Sequence, residues 1–447
     1  MAHPIASKSR RSFLTNATLV AGGILTGAPV RAETPEKHPN FPTTDPLWKQ
    51  TWDAAFKVLA GNVRRTPSYP EPVLFEGSTY QGTWQECGPH ESLVYASLRK
   101  YIPSNINALE VARNTHSAFF ALQRPDGQLP ASVKTSEVGF GQIQMVVPIA
   151  ATVWELSQPL QDQQFLETAY ASCNRWDAWL RRYRDTRKTG LVEGFCTYDT
   201  GHDNSPRWAG IPNRCPGADA RNCPPINTMP RLCPDLSATV YGARIALASM
   251  ASALGKEKEA DRWHEDAETI RRLILEKLYS PEDAAFYDLD AQNKFVRVRS
   301  DVISRVLGEH VLQLSNPGDK AIFESVWERQ MHNPKAFWAP YPFPSVALDD
   351  PTFVRPIPRN SWGGASQALT ALRAPRWITH YGKRAELNHL MRQWCDAILR
   401  HGEFRQQMDP LTGDFTQPDP GGYSPAALVF LDFTNRLYSA SFKGEQP

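Results

Sequence analysis

Apolar residues recur at intervals of three and four along most of this chain, and that spacing restricts its fold more than any other feature. Leu236, Val240, Ala243, Leu247, Met250 and Leu254 form one series, and Trp263, Ala267, Ile270, Ile274 and Leu278 form the next. A helix returns to the same side every 3.6 residues, so each series is the buried stripe of an α-helix. Phe165, Ala169, Cys173, Trp176, Leu180 and Tyr183 mark another, ending before Thr189-Gly190. Asp45 as cap and Pro46 at the first helical position open a helix that turns Trp52, Ala55, Phe56 and Leu59 inward. Further helices are expected over about 89–100, 105–121, 141–156, 300–311, 318–331, 362–374, 383–400 and 423–437, on the order of twelve in all. A small hairpin is expected at 286–295.

The connections alternate in character. Some are short turns, whereas 66–84, 191–234 and 337–358 are long and rich in Pro and aromatic residues. Helical hairpins closed into a ring would gather the long loops at one mouth. The expected fold is therefore all-α, an (α/α)6 toroid with long loops and a small hairpin on the cleft side. A solenoid needs a fixed repeat, and none is visible. Positions 84–86, 199–208, 362 and 403–409 would meet in the cleft, with Trp84 and Glu86 among its lining. The 13 Trp and 14 Tyr exceed what a core requires, which suits a wide aromatic cleft.

The chain opens with an export signal. Ser9-Arg10-Arg11-Ser12-Phe13-Leu14 is a twin-arginine pattern, followed by an apolar stretch from Ala17 to Pro29 and by Val30-Arg31-Ala32, which suits a signal peptidase. That stretch is too short to span a bilayer, which takes about 20 residues. Residues 1–32 are expected to be removed, leaving 33–447 as a single domain exported through the Tat translocon to the periplasm or beyond. A charged fraction of 21% and a net charge of +2 give no sign of nucleic-acid or membrane-surface binding.

One stretch concentrates chemistry. Tyr198-Asp199-Thr200-Gly201-His202-Asp203-Asn204-Ser205-Pro206-Arg207-Trp208 places two carboxylates, an imidazole, an amide, a guanidinium and an indole in one turn. Aromatic faces stack on pyranose rings, carboxylates and Arg bind hydroxyls, and a carboxylic acid protonates a glycosidic oxygen. A plain Asx turn accounts for part of the same pattern. Cys196, Cys215, Cys223 and Cys233 crowd the following loop and, in an exported protein, read as one or two disulfides, their spacing being unlike paired zinc knuckles. Asp288, Asp290, Asp349 and Asp350 have the donors for a Ca²⁺ ion but read as turn residues. No cofactor and no metal is expected.

Six segments in order resemble the trehalase-like and glucosidase-like (α/α)6 glycoside hydrolases, which include mannosylglycerate and glucosylglycerate hydrolases. They are Gly141-Gln142-Ile143-Gln144 through Trp154-Glu155, Gly190-Leu191-Val192-Glu193 leading to Gly201–Trp208, Pro234-Asp235-Leu236-Ser237-Ala238, Pro344-Ser345 with Asp349-Asp350-Pro351, Trp362-Gly363-Gly364, and Asp409-Pro410-Leu411-Thr412-Gly413 before Tyr423-Ser424. The resemblance implies a carbohydrate substrate, inversion at the anomeric carbon, and Asp203 as general acid. It implies that Gln144, Asn204, Arg207, Trp208 and Trp362 line the sugar subsite with His202 beside them, and that Asp199 replaces a Glu. The family's second carboxylate falls on Gln406, which cannot accept a proton. Asp409 or Glu403 would then serve as base. Otherwise the site runs another toroidal chemistry such as polysaccharide lysis, using His202 and Arg207, or binds sugar without turnover.

Overall fold

The computed structural model describes residues 38–417 and 421–439, so the twin-arginine segment lies outside the described residues. Twelve α-helices occur among them: α1 (Pro46–Asn62), α2 (Gly88–Ser97), α3 (Ala108–Ala121), α4 (Ile149–Leu160), α5 (Gln163–Tyr183), α6 (Pro234–Ala253), α7 (Glu257–Lys277), α8 (Val302–Gly308), α9 (Pro317–Val326), α10 (Ala368–Ile378), α11 (Arg384–His401) and α12 (Ser424–Tyr438).

The even-numbered helices close a ring: α2 packs on α4, α4 on α6, α6 on α8, α8 on α10, α10 on α12, and α12 back on α2. Odd-numbered helices lie outside them, α3 against α2, α5 against α4, α7 against α6, α11 against α10, and α1 against α12. This is the (α/α)6 toroid. Sequence separates the two layers. In α12 the residues from Ala426 to Thr434 are all buried, as an inner helix with neighbours on every side requires. In α5 only the stripe Phe165, Ala169, Cys173, Trp176 and Leu180, with a few flanking residues, is buried. Asp45 caps Leu47 N and Asp162 caps Phe165 N, so two outer helices start where a carboxylate satisfies a free amide.

Connections from an inner helix to the next outer helix are short, for example 161–162 and 254–256. Those from an outer to an inner helix are long: 63–87, 122–148, 184–233, 278–301, 327–367 and 402–423. All the long segments therefore collect at the N-terminal ends of the inner helices. They carry the small antiparallel sheets, including the expected hairpin, in which Asp288 pairs with Val296 and Leu289 with Phe295. Ser424 N donates to Glu76 O at 2.8 Å, joining the loop before α2 to the start of α12 and sealing the ring.

Two helices, α4 and α10, begin well after the positions their apolar spacing suggests. α4 starts at Ile149 because Gln144 holds φ +47° and Pro148 stands at the cap. α10 starts at Ala368 because Ser366–Gln367 pairs with Gln407–Met408 and the Trp362 amide is bonded to Asp203 O. The displaced residues go to the mouth of the ring.

Candidate active site

A cavity of about 330 Å³ opens at that mouth. Its polar wall carries Glu76, Glu86, Asp203, Gln144, Asn360 and Gln406, with Trp84, Trp362, Tyr80, Tyr198 and Phe140 as the aromatic surfaces. Arg124, Lys134 and Arg214 form a basic rim, with Glu137 among them. The volume is at the small end for a ligand site and suits a short saccharide.

The loop bearing Asp203 is held from below. Asp199 is fully buried, ion-paired to Arg184, and accepts the amides of Ile143 at 2.9 Å and Phe195 at 2.7 Å. Met145 N bonds to Asp199 O, so this residue also fixes the turn that presents Gln144. Arg207 lies beneath the loop, donating to both oxygens of Asp235 at 2.7 and 2.8 Å and to both of Asp288 at 2.9 and 2.7 Å. His202 Nε2 is 2.7 Å from Asp301, and burial together with the Arg305 charge takes its pKa down to about 4. The Trp208 indole N–H donates to Thr200 Oγ1 at 3.0 Å.

These contacts correct part of the expectation from sequence. Asp199, His202, Arg207 and Trp208 do not line the cavity; they are buried supports of the acid loop, and the lyase reading loses its two residues. Asn204 also points away, donating to Asn360 O at 2.9 Å from a backbone at φ +57°. Glu403 is exposed and paired with Arg405, and Asp409 is paired with Arg355 at 3.2 Å and bonded to Leu411 N, so neither lines the cavity. Trp84, Glu86, Gln144, Asp203, Trp362 and Gln406 do line it.

The cysteine expectation also changes. All seven cysteines are free thiols, and Cys196 and Cys215 approach only to 3.6 Å between sulfurs. The loop is stapled instead by Arg184–Asp199 and by backbone bonds such as Cys215 N to Gly141 O at 3.1 Å. Of the four aspartates weighed as calcium ligands, Asp288 is taken by Arg207, Asp349 and Asp350 face Arg299, and Asp290 caps the turn at Gln292.

Several site residues escaped the sequence pattern. Glu76 receives the Tyr423 O–H at 2.6 Å, Tyr80 bonds to Gln406, and Asn360 Nδ2 donates to Asp203 Oδ2 at 2.9 Å. Glu76 and Tyr80 stand in a Gly- and aromatic-rich loop whose polar residues were a usable signal; Asn360 had none. Burial, and then the neighbouring Glu86 charge, raises the Asp203 pKa to about 7, against which the Asn360 donor acts. Glu86 is raised by burial too, but the Arg373 and Arg305 charges and the Gln144 amide pull it back. Glu76 is raised well above its usual value by burial and by the Glu91 charge. The cavity thus pairs a carboxyl that keeps its proton near neutrality with one that has cationic support.

The fold is shared with solved glycosidases. The GH63 mannosylglycerate hydrolase of Thermus thermophilus in complex with glucose superposes with a TM-score of 0.63 at 20% identity, over 86% of this chain and 99% of that one. The neutral trehalase of Saccharomyces cerevisiae gives 0.59 at 14% identity, over 88% of this chain and 84% of that one. A glucosylglycerate hydrolase from Mycolicibacterium hassiacum is 24% identical over 173 residues, which is 38% of this chain and 36% of that relative. The chain thus matches about a third of the length of that curated relative. Residues 108–426 match the mannosylglycerate hydrolase MGH1-like glycoside hydrolase domain, which covers well over half of the chain, and the chain belongs to that family.

Proposed function

We propose that the protein is an exported glycoside hydrolase that releases a sugar from a small anionic partner of the glycerate type, with Asp203 as general acid. The observation that carries this reading is Asp203 itself: a cavity-facing carboxyl, buried on its own side, whose pKa of about 7 keeps the proton a leaving oxygen needs. The relatives named for glycosylglycerates supply the substrate class, and the basic rim of Arg124, Lys134 and Arg214 supplies the charge that a carboxylate on the leaving group would meet. Glu86 is the carboxylate assigned to activate water, because Arg373 and Arg305 support its charge while Asp203 stays protonated. An α-linkage and inversion are part of the proposal, as is twin-arginine export to the periplasm or medium.

The test is hydrolysis of glucosylglycerate and mannosylglycerate by the purified protein, with the anomer of the released sugar followed by NMR. Arg124→Ala with Lys134→Ala should raise KM for the glycerate compounds and leave a neutral aryl glycoside unaffected. Turnover of neutral glycosides alone would remove the glycerate assignment. Gln406 is the observation that favours a second reading, a sugar-binding protein, and tight binding without turnover across the panel would select it.

A further inference from the structure

Gln406 stands where the resembled glycosidases place a carboxylate, but its contacts fit a different use, one that rests on Asp203 being the acid. The Tyr80 O–H donates to Gln406 Oε1 at 2.9 Å. Gln406 Nε2 donates to Asn360 Oδ1 at 2.9 Å, and Asn360 Nδ2 donates to Asp203 Oδ2 at 2.9 Å. Every donor in this relay points toward Asp203. Gln406 is 7% exposed, so water is poorly placed to replace these bonds.

The direction of the relay depends on the amide. An ionised carboxylate at 406 accepts only, so it would face Asn360 Oδ1 with two acceptors in contact. Asn360 would turn over to donate to 406, leaving its own oxygen toward Asp203. That arrangement suits Asp203 only while it is protonated. With Gln406 in place, Asn360 keeps its N–H on Asp203 after the proton has gone to the leaving oxygen, where a donor to the new carboxylate stabilises the later part of the reaction.

We propose that Gln406 is a positioning residue, acting through Asn360 to hold a hydrogen-bond donor on Asp203, and is not a lost base. Other charges and titratable groups facing Asp203 are Glu86, Glu76 and Tyr80 from the loop before α2, and Tyr198 on its own loop. None of them is a cation, so the Asn360 N–H is the contact opposing its burial.

The experiment is a ¹³C-carboxyl titration of Asp203 in aspartate-labelled full-length mature protein, with Asp203→Asn assigning the signal. Asn360→Ala should raise the titration midpoint by about one pH unit, the size of one charge-assisted hydrogen bond. Gln406→Ala should raise it less, and the double variant no more than Asn360→Ala alone, because the two act in series. Tyr80→Phe, which frees the far end of the relay, should move it in the same direction and guards against a misfolded Gln406 variant. Gln406→Glu should lower kcat at least about tenfold and move the alkaline limb of its pH profile upward. Additive shifts from the two alanine variants, or a gain in kcat for Gln406→Glu, would overturn the proposal. Unchanged hydrolysis by Asp203→Asn would instead remove the acid assignment, and the titrations would still report the relay.

Discussion

Gly201 and Glu86 are in direct contact: a Cβ built on Gly201 would overlap Glu86 Oε2, and Gly201 holds φ +62°. Both the space and the backbone conformation exclude a side chain. Gly201→Ala should therefore push Glu86 aside and cut kcat at least about a hundredfold, the scale on which misplaced catalytic groups lose rate. Retention of more than half the parent kcat would show that Glu86 has freedom the structure does not give it.

The carboxyl pKa values set a pH window. An acid must hold its proton, so activity should fall as pH rises through about 7, the value burial and Glu86 give Asp203. The acidic limb should lie above the ordinary glutamate range, because burial raises Glu86 as well. A pH profile of kcat/KM measures both limbs, and an alkaline limb that persists in Asp203→Asn would assign it to another group.

The same raised pKa affects stability. Between the ordinary aspartate value and about 7, the folded protein keeps a proton on Asp203 that the unfolded chain has released, so stability is lost as pH rises through this range. Asp203→Asn, which cannot ionise, should melt higher than the parent at about pH 8 and equal to it near pH 4. Scanning calorimetry at the two pH values decides, and a variant less stable at the higher pH contradicts the expectation.

Arg207 bridges Asp235 and Asp288 at 2.7 Å each, with every side chain 2% exposed. Removing one member of a buried ion cluster strands the others, at about 3–5 kcal/mol. Arg207→Met should lower the unfolding free energy by that amount in a denaturant titration, and a change below about 1 kcal/mol would place water around the two aspartates. Arg207→Lys should recover only part of the loss, since an ammonium cannot donate two bonds to each of two carboxylates.

Glu91 is fully buried beside the Cys87 thiol, and burial raises its pKa to about 7. Glu91→Gln should consequently stabilise the protein at about pH 8, where the parent must hold a buried charge, and change little near pH 4, read by thermal melts. Destabilisation at the higher pH would mean that the charge is compensated by a group such as Arg373.

By itself the sequence determined the helices, their number and their ring, because burial imposes a 3.6-residue period on neighbouring residues. It also picked out Asp203, Glu86 and Trp84, since carboxylates and indoles in long loops have few structural uses; Gln144, and the site roles of Trp362 and Gln406, entered only through the resemblance of their segments to the glycosidases. What only the tertiary structure decided is which polar residues face the cavity. Arg207, His202 and Asp199 look like ligands in one dimension, yet Asp235, Asp288 and Asp301 arrive from other segments, and Arg184 from the start of the same loop, and consume them. Asn360 carried no local pattern, and its bond to Asp203 spans 157 residues. Local periodicity is written in neighbouring residues, whereas the partners of a buried charge such as Arg207 are set by how separate loops meet at the mouth of the ring.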